Sequence, residues 1–301
     1  MVSGVGKMKI LIYSLGEKGY RVVKALFENS DDHELICIIG QDCAVEEDYS
    51  SDLARFCVLN KIKCYKREEF TLECSAHDLV LAVGWRWIIK GVPEEKLIVF
   101  HDSLLPRYRG FAPLVTALIN KEKVTGVTAL FGAKDYDTGN IVLQKKMDIN
   151  YPTKIEVEIH NISNIYAEMA VELVAKCNGN SGNIRGYRQD EAKASYSLWL
   201  DEEDYRINWS GDAKDIEHFI FCVGYPYRGA TAVLNGERVR ITKGIARADV
   251  KIENRTPGKV ITLESGLPVV VCGAGLITLV EVWGENGESL LPLKYFRSRF
   301  S

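Results

Sequence analysis

Apolar and polar positions alternate in blocks through the first half of the chain. Lys9-Ile10-Leu11-Ile12-Tyr13-Ser14 is a continuous apolar run that predicts a buried strand, and residues 18–28 follow with Val22, Val23, Ala25, Leu26 and Phe27 at helical spacing. The alternation continues with a strand over 33–40 around Ile36-Cys37-Ile38-Ile39 and a helix over 51–60 with Asp52 near its start. Leu79-Val80-Leu81-Ala82-Val83 and Leu97-Ile98-Val99-Phe100 predict two more strands. Pro113 opens an apolar helix reaching Ile119, which suits proline in a first helical turn. Thr128-Ala129-Leu130-Phe131 and 141–147 continue the sheet, and 154–175 reads as a long amphipathic helix. Near-continuous strand runs separated by helices predict an α/β unit whose parallel-rich sheet is covered on both faces.

After Gly186 the composition turns polar, and then the pattern changes type. Residues 230–234, 239–242, 259–262, 267–271 and 276–280 read as short strands. They are separated by turn signals at Asn235-Gly236, Glu264-Ser265-Gly266 and Gly273-Ala274-Gly275. Short strands at this spacing predict a small barrel. A chain of 301 residues has room for two cores, and the expected division is 1–200 and 201–301.

Composition narrows the class without choosing a function. Hydrophobic content of 47% and charged content of 26% match an ordinary soluble globular protein. A net charge of −3 argues against a bulk nucleic-acid binder. No apolar run reaches the roughly 18 residues of a membrane helix. The opening Met1-Val2-Ser3-Gly4-Val5-Gly6-Lys7 lacks the apolar stretch of a secretory signal, and Met8 offers a second start. The cysteines (Cys37, Cys43, Cys57, Cys64, Cys74, Cys177, Cys222, Cys272) include no Cys-x-x-Cys pair and no metal-ligand spacing, so no metal is expected. They read as structural thiols of a reducing cytoplasm.

The chemistry concentrates in His101-Asp102-Ser103-Leu104-Leu105-Pro106-Arg107-Tyr108-Arg109-Gly110, with Asp137-Thr138-Gly139 beginning thirty-six residues after the histidine. The histidine ends an apolar strand, where open α/β sheets keep their sites. This string resembles the signature of the folate-dependent formyltransferases, a His-x-Ser-Leu-Leu-Pro-x-(aromatic)-(basic)-Gly segment with a downstream Asp-(Thr/Ala)-Gly. The likeness extends to the second half. Glu203 to Ser210, Gly224-Tyr225-Pro226-Tyr227-Arg228-Gly229-Ala230 and Pro257-Gly258-Lys259-Val260-Ile261 are similar to landmarks of the C-terminal domain in methionyl-tRNA formyltransferase and its sugar-modifying relatives. The resemblance implies a Rossmann-type formyltransferase domain followed by a small OB-like β-barrel domain, with N10-formyltetrahydrofolate as the formyl donor.

Formyl transfer to an amine develops an oxyanion and releases a proton, so it needs an acid–base group and an oxygen-binding donor. His101, with an ordinary pKa near about 6.5, can hold the proton, and a carboxylate at Asp137 would orient it. The resemblance assigns these catalytic roles to His101 and Asp137. It places Gly84-Trp85-Arg86 along the pterin slot, although aromatic packing at a core edge explains the same residues. It places Ala133-Lys134-Asp135-Tyr136-Asp137 and Ser103-Leu104-Leu105-Pro106 against the same cofactor. Arg107 and Arg109 could contact substrate phosphates or serve as surface charge and scaffold pairs.

One position departs from the family. An asparagine usually stands two residues before the histidine, where its amide polarises the formyl oxygen, and here it is Val99. Ser103 or a backbone N–H could substitute. The first turn holds only Gly16 and Gly19, a partial glycine pattern that argues against a nicotinamide site.

The favoured acceptor is the amino group of a nucleotide-linked amino-deoxy sugar, which would place the chain in polysaccharide biosynthesis. Residues 211–301 hold 12 Lys/Arg against 10 Asp/Glu, a balance of +2 that is low for a tRNA binder. Phe111 also stands where the tRNA enzyme usually has a small residue. The alternatives are methionyl-tRNA as acceptor, or a folate-binding protein with weakened catalysis. The expected partner is a small molecule, with no membrane and no nucleic acid, and the sequence permits a homodimer.

Overall fold

Five parallel strands carry the first half of the molecule in the computed structural model, which describes residues 7–29, 33–70, 77–179 and 184–301. The lead at 1–6 and Cys74 lie outside the described residues. The chain runs β1 (Met8–Ser14), α1 (Gly16–Asn29), β2 (His33–Ile39), α2 (Ser50–Leu59), β3 (Lys63–Lys66), β4 (Leu79–Val83) and β5 (Leu97–His101). These strands lie in the order β3-β2-β1-β4-β5, each pair parallel. Every residue of β4 and residues 10–14 of β1 are buried, which explains their unbroken apolar sequence. β3 is mostly exposed and carries Lys63 and Lys66, so no apolar run announces it.

The sheet then reverses. A two-residue strand β6 (Arg109–Gly110) and α3 (Pro113–Ile119) lead to β7 (Val124–Phe131) and β8 (Ile141–Asp148). β7 is antiparallel to both β5 and β8. With seven residues, or about 10 Å, α3 is too short to carry the chain back across the sheet, as a parallel return requires. The sheet is therefore parallel-rich with an antiparallel hairpin at one edge. The long helix α4 (Ile155–Gly179) packs on α1 and buries Ile162, Tyr166, Met169 and Leu173.

Beyond it, β9 (Tyr196–Ser197) pairs with β6, and α5 (Ala213–Cys222) opens with Asp212 accepting the Lys214 N–H at 2.8 Å. The last strands are β10 (Ala230–Leu234), β11 (Glu237–Arg247), β12 (Val260–Glu264), β13 (Leu267–Val271) and β14 (Leu276–Gly284). They form an antiparallel sheet in the order β10-β11-β14-β13-β12. Residues 298–301 bridge its two edges. Val260 donates to the Ser298 carbonyl (3.1 Å), while Val233 and Ser301 exchange backbone bonds of 2.7 and 2.9 Å. That strip closes an OB-like barrel and removes both unpaired edges. Phe300, 1% exposed, plugs it against Trp209 with ring centres 5.7 Å apart. The barrel meets the first sheet where Glu46 donates to the Pro226 carbonyl and Arg228 to that of Cys43.

Candidate active site

A cleft of about 920 Å³ lies between the carboxyl ends of β4 and β5 and the 227–229 loop before β10. Side chains alternate along a strand, so Val99 and His101 share one face of β5 while Phe100 and Asp102 take the other. Phe100 stacks on Tyr166 of α4 at 5.4 Å.

His101 is 7% exposed, and both ring nitrogens have neighbours. Nε2 lies 2.7 Å from the Tyr108 carbonyl oxygen. A carbonyl only accepts, so Nε2 carries the proton that makes this bond. The neutral ring therefore keeps its lone pair on Nδ1, which lies 3.6 Å from Asp137 Oδ2. A proton taken up at Nδ1 is met at once by a carboxylate.

Asp137 is held in place by several strict local demands. It sits in a left-handed conformation (φ 56°), and its Oδ2 accepts the Gly110 N–H at 2.8 Å. Gly139 ends the same turn, and a Cβ there would meet the Phe131 carbonyl oxygen at 1.9 Å. Gln189 spans the turn by donating to the carbonyls of Asp137 (2.7 Å) and Gly139 (2.8 Å). Its own oxygen accepts from Arg109 Nε and Nη2, and Glu191 accepts two further guanidinium bonds of 2.8 Å each. Arg109 is 1% exposed, so it braces the Asp137 turn from below and presents nothing to a phosphate in the cleft.

The structure separates the remaining expected residues. Gly84, Trp85, Arg86 and the Ala133–Asp137 loop line the cleft together with His101, whereas 103–109 do not. Ser103 is buried and its hydroxyl donates to the Arg107 carbonyl at 2.7 Å, so that hydroxyl is already spent. Leu105 packs with Leu130, Ile141 and Val99 beneath the cleft, and Gln144 and Thr128 fix its backbone. Arg107 is an exposed partner of Glu122, and Pro106 bonds the Ser195 N–H through its carbonyl.

Gly84 has φ 61°, and a Cβ there would lie 2.8 Å from the Leu15 carbonyl oxygen. Trp85 packs edge-on to Tyr13 (5.0 Å) and Trp87 (4.8 Å), which fits the expected core-edge packing. Even so, its buried Nε1 meets no partner among the described residues. Arg86 pairs with Asp42 at the cleft wall.

Three groups in the cleft escaped the sequence reading: Lys18 in the first turn of α1, Asp102, and Tyr166 in α4. Lys18 and Tyr166 each bond a different oxygen of Asp102. Their separations in sequence, 84 and 64 residues, leave no local signal. Gln189 and Glu191 lie in a stretch whose polarity resembles a linker.

Comparison with known proteins bears on the chain's family and fold. A formyl transferase family model matches residues 64–165, and a model of the formyl transferase C-terminal domain matches 200–299. The chain is 34% identical to a methionyl-tRNA formyltransferase of Thermodesulfovibrio yellowstonii over 69% of its own length and 64% of that protein's. It is 30% identical to a methionyl-tRNA formyltransferase of Clostridium novyi over 80% of this chain and 78% of that one. Among solved structures, an N-formyltransferase from Helicobacter canadensis, in complex with folinic acid and dTDP-3-aminofucose, superposes with a TM-score of 0.67. That match covers 90% of this chain and 98% of the other at 19% identity, a likeness of fold.

Proposed function

We propose that this chain, which belongs to the formyltransferase family, moves a formyl group from N10-formyltetrahydrofolate to the amino group of a nucleotide-linked amino sugar. The observation that carries the reading is the His101 ring, pinned at Nε2 and open at Nδ1 toward Asp137 inside a cleft. The donor fits the residues present. Gly84 exposes backbone beside an aromatic wall, and the Trp85 N–H is an unspent buried donor of the kind a flat heterocycle satisfies. Ala133, Lys134, Asp135 and Tyr136 would form the opposing edge.

When bound, the folate supplies an activated formyl carbon. The protein's part is to hold the amine against it and to manage one proton. His101 takes that proton at Nδ1 as the amine nitrogen bonds to carbon, and Asp137 stabilises the resulting imidazolium. The same proton then passes to the departing nitrogen.

The sugar acceptor is supported by the +2 balance of residues 211–301 and by a cleft whose charges nearly cancel: Lys18, Arg86, Lys134, Arg228 and Arg240 face Asp102, Asp135, Asp137, Asp201 and Glu202. A second reading, methionyl-tRNA as acceptor, is favoured by the names of the relatives with 34% and 30% identity. No helix among the described residues is long and apolar enough to cross a membrane, and we place the enzyme in the cytoplasm. The test supplies formyl donor with a panel of nucleotide amino sugars and, separately, charged initiator tRNA. A mass gain of one formyl group on a sugar is expected, with weak salt dependence. Efficient formylation of the tRNA alone would transfer the assignment to the second reading.

A further inference from the structure

Beside His101 and Asp137 lies a set of charged groups that the proton transfer leaves unused. Lys18, Asp102 and Tyr166 converge from α1, the bend just after β5 and the middle of α4, and all three border the cleft. The side chains of Lys18 and Asp102 are 18% and 13% exposed, and Tyr166 is 1% exposed. Burial alone would raise the Asp102 carboxyl, but Lys18 and Tyr166, with His101 adding to them, hold it below its ordinary range. Burial and the Asp102 charge push the Tyr166 phenol well up, with Asp137 contributing. Asp102 thus stays ionised, and Tyr166 keeps its proton on the bond to it. The Lys18 ammonium lies 5.7 Å over the Tyr166 ring and spends one of its three protons on Asp102.

Formyl transfer needs a donor for the oxygen on which charge develops, and the cleft offers few. Val99 presents only methyl groups. The Ser103 hydroxyl is bonded to the Arg107 carbonyl, the Gly110 N–H to Asp137, and the Tyr166 hydroxyl to Asp102. Lys134 stands exposed on its loop, where water screens it, Arg86 and Arg240 are paired with Asp42 and Glu202, and the unspent Trp85 N–H is the donor assigned above to the folate ring. Lys18 combines a charge, unspent donors and partial burial next to the residue that follows His101.

We infer that Lys18 is a further catalytic residue, donating to the formyl oxygen as charge develops there, and that Asp102 and Tyr166 are positioning residues that fix its ammonium. This rests on the formyl-transfer reading. The amine lone pair forms the new C–N bond while the carbonyl π pair moves onto oxygen, facing Lys18. That pair returns as the bond to the donor nitrogen breaks, and the departing nitrogen takes the proton held on His101.

Lys18→Met removes the charge at similar length. It should lower kcat by roughly 10²–10³, the usual cost of one oxyanion donor, with acceptor KM and folate affinity changed by less than about threefold. Lys18→Arg should recover part of the loss. Unchanged kcat would overturn the inference, as would a rise in acceptor KM at constant kcat, which would make Lys18 a grip on the acceptor. If Lys18→Met fails to fold because the buried Asp102 charge loses its cation, the double variant Lys18→Met/Asp102→Asn removes both charges and should show the same kcat loss. Wild-type protein that formylates no amine would sink the underlying reading. Wild-type turnover matched by Lys18→Met would sink the role of Lys18 alone.

Discussion

Residues 103–109 and 133–137 reach the His101–Asp137 pair from two sides and are built in opposite ways. The first segment turns its functional groups inward. Ser103 caps the Arg107 carbonyl, Arg109 is buried against Gln189 and Glu191, and the Tyr108 carbonyl pins His101. The second turns outward, with Ala133, Lys134 and Asp135 exposed and Tyr136 at 64% exposure. Asp137 is tied down by Gly110 and, through its carbonyl, by Gln189, while Asp135 accepts the Thr138 hydroxyl through its carbonyl and Tyr136 leans on Phe111 with ring centres 5.7 Å apart. A recognisable motif therefore contains two kinds of residue: those that hold the chemistry in register and those free to touch a ligand. Burial distinguishes them where residue type does not.

The largest effect should come from the pair itself. His101→Ala should lower kcat by roughly 10²–10⁴, the range for a positioned acid–base, and Asp137→Asn should do comparable harm. Thermal melting should show both variants folded. Near-normal rates in either would mean that the two segments converge on something other than the reacting proton.

Arg109 tests whether the inward segment is a brace. Arg109→Met strips Gln189 and Glu191 of charged bonds, so stability measured by urea unfolding should fall by about 2–3 kcal/mol. Activity should fall through kcat as the Asp137 turn loosens. If acceptor KM rises instead while stability holds, Arg109 grips substrate and the contrast is wrong.

Much of this arrangement was legible in the sequence because its signals are local. The continuous runs at 79–83 and 97–100, the proline opening α3, and the Asn235-Gly236 turn each report their own backbone. β3 carries no apolar run because it is an exposed edge. α5 was hidden in a stretch read as polar, although Asp212 followed by Ile216 and Ile220 is a helix start with a buried stripe. The brace and the Lys18 cluster were illegible for another reason: Gln189 lies 80 residues from Arg109, and Tyr166 lies 64 from Asp102. Such partners exist only once the sheet has brought them together.

Val99 sharpens the comparison at the cleft floor. It is half-buried, packing against Leu105, Leu130 and Ile141 on one side and lining the cleft on the other, so Val99→Asn should cost about 1 kcal/mol of stability through lost apolar contacts and lower kcat. A tenfold or larger gain in kcat would show instead that the floor tolerates an amide donor and that the enzyme works below its reach.

The smallest effect should be at Arg107, the one exposed charge of the inward segment. Its guanidinium pairs with Glu122 and lies 5.3 Å over the Tyr108 ring. Glu122 also accepts the Tyr108 hydroxyl at 2.7 Å, so removing Arg107 leaves that carboxylate partnered. An exposed pair of this kind contributes about 0.2–1 kcal/mol, and Arg107→Ala should shift unfolding free energy by no more than that. Because Arg107 does not line the cleft, acceptor KM should stay within about twofold, less than the tenfold that 1.4 kcal/mol of lost binding would produce. A tenfold rise in acceptor KM would put this guanidinium on a substrate phosphate. Residues 103–109 would then touch the ligand after all, through a side chain that reaches around the rim of the cleft.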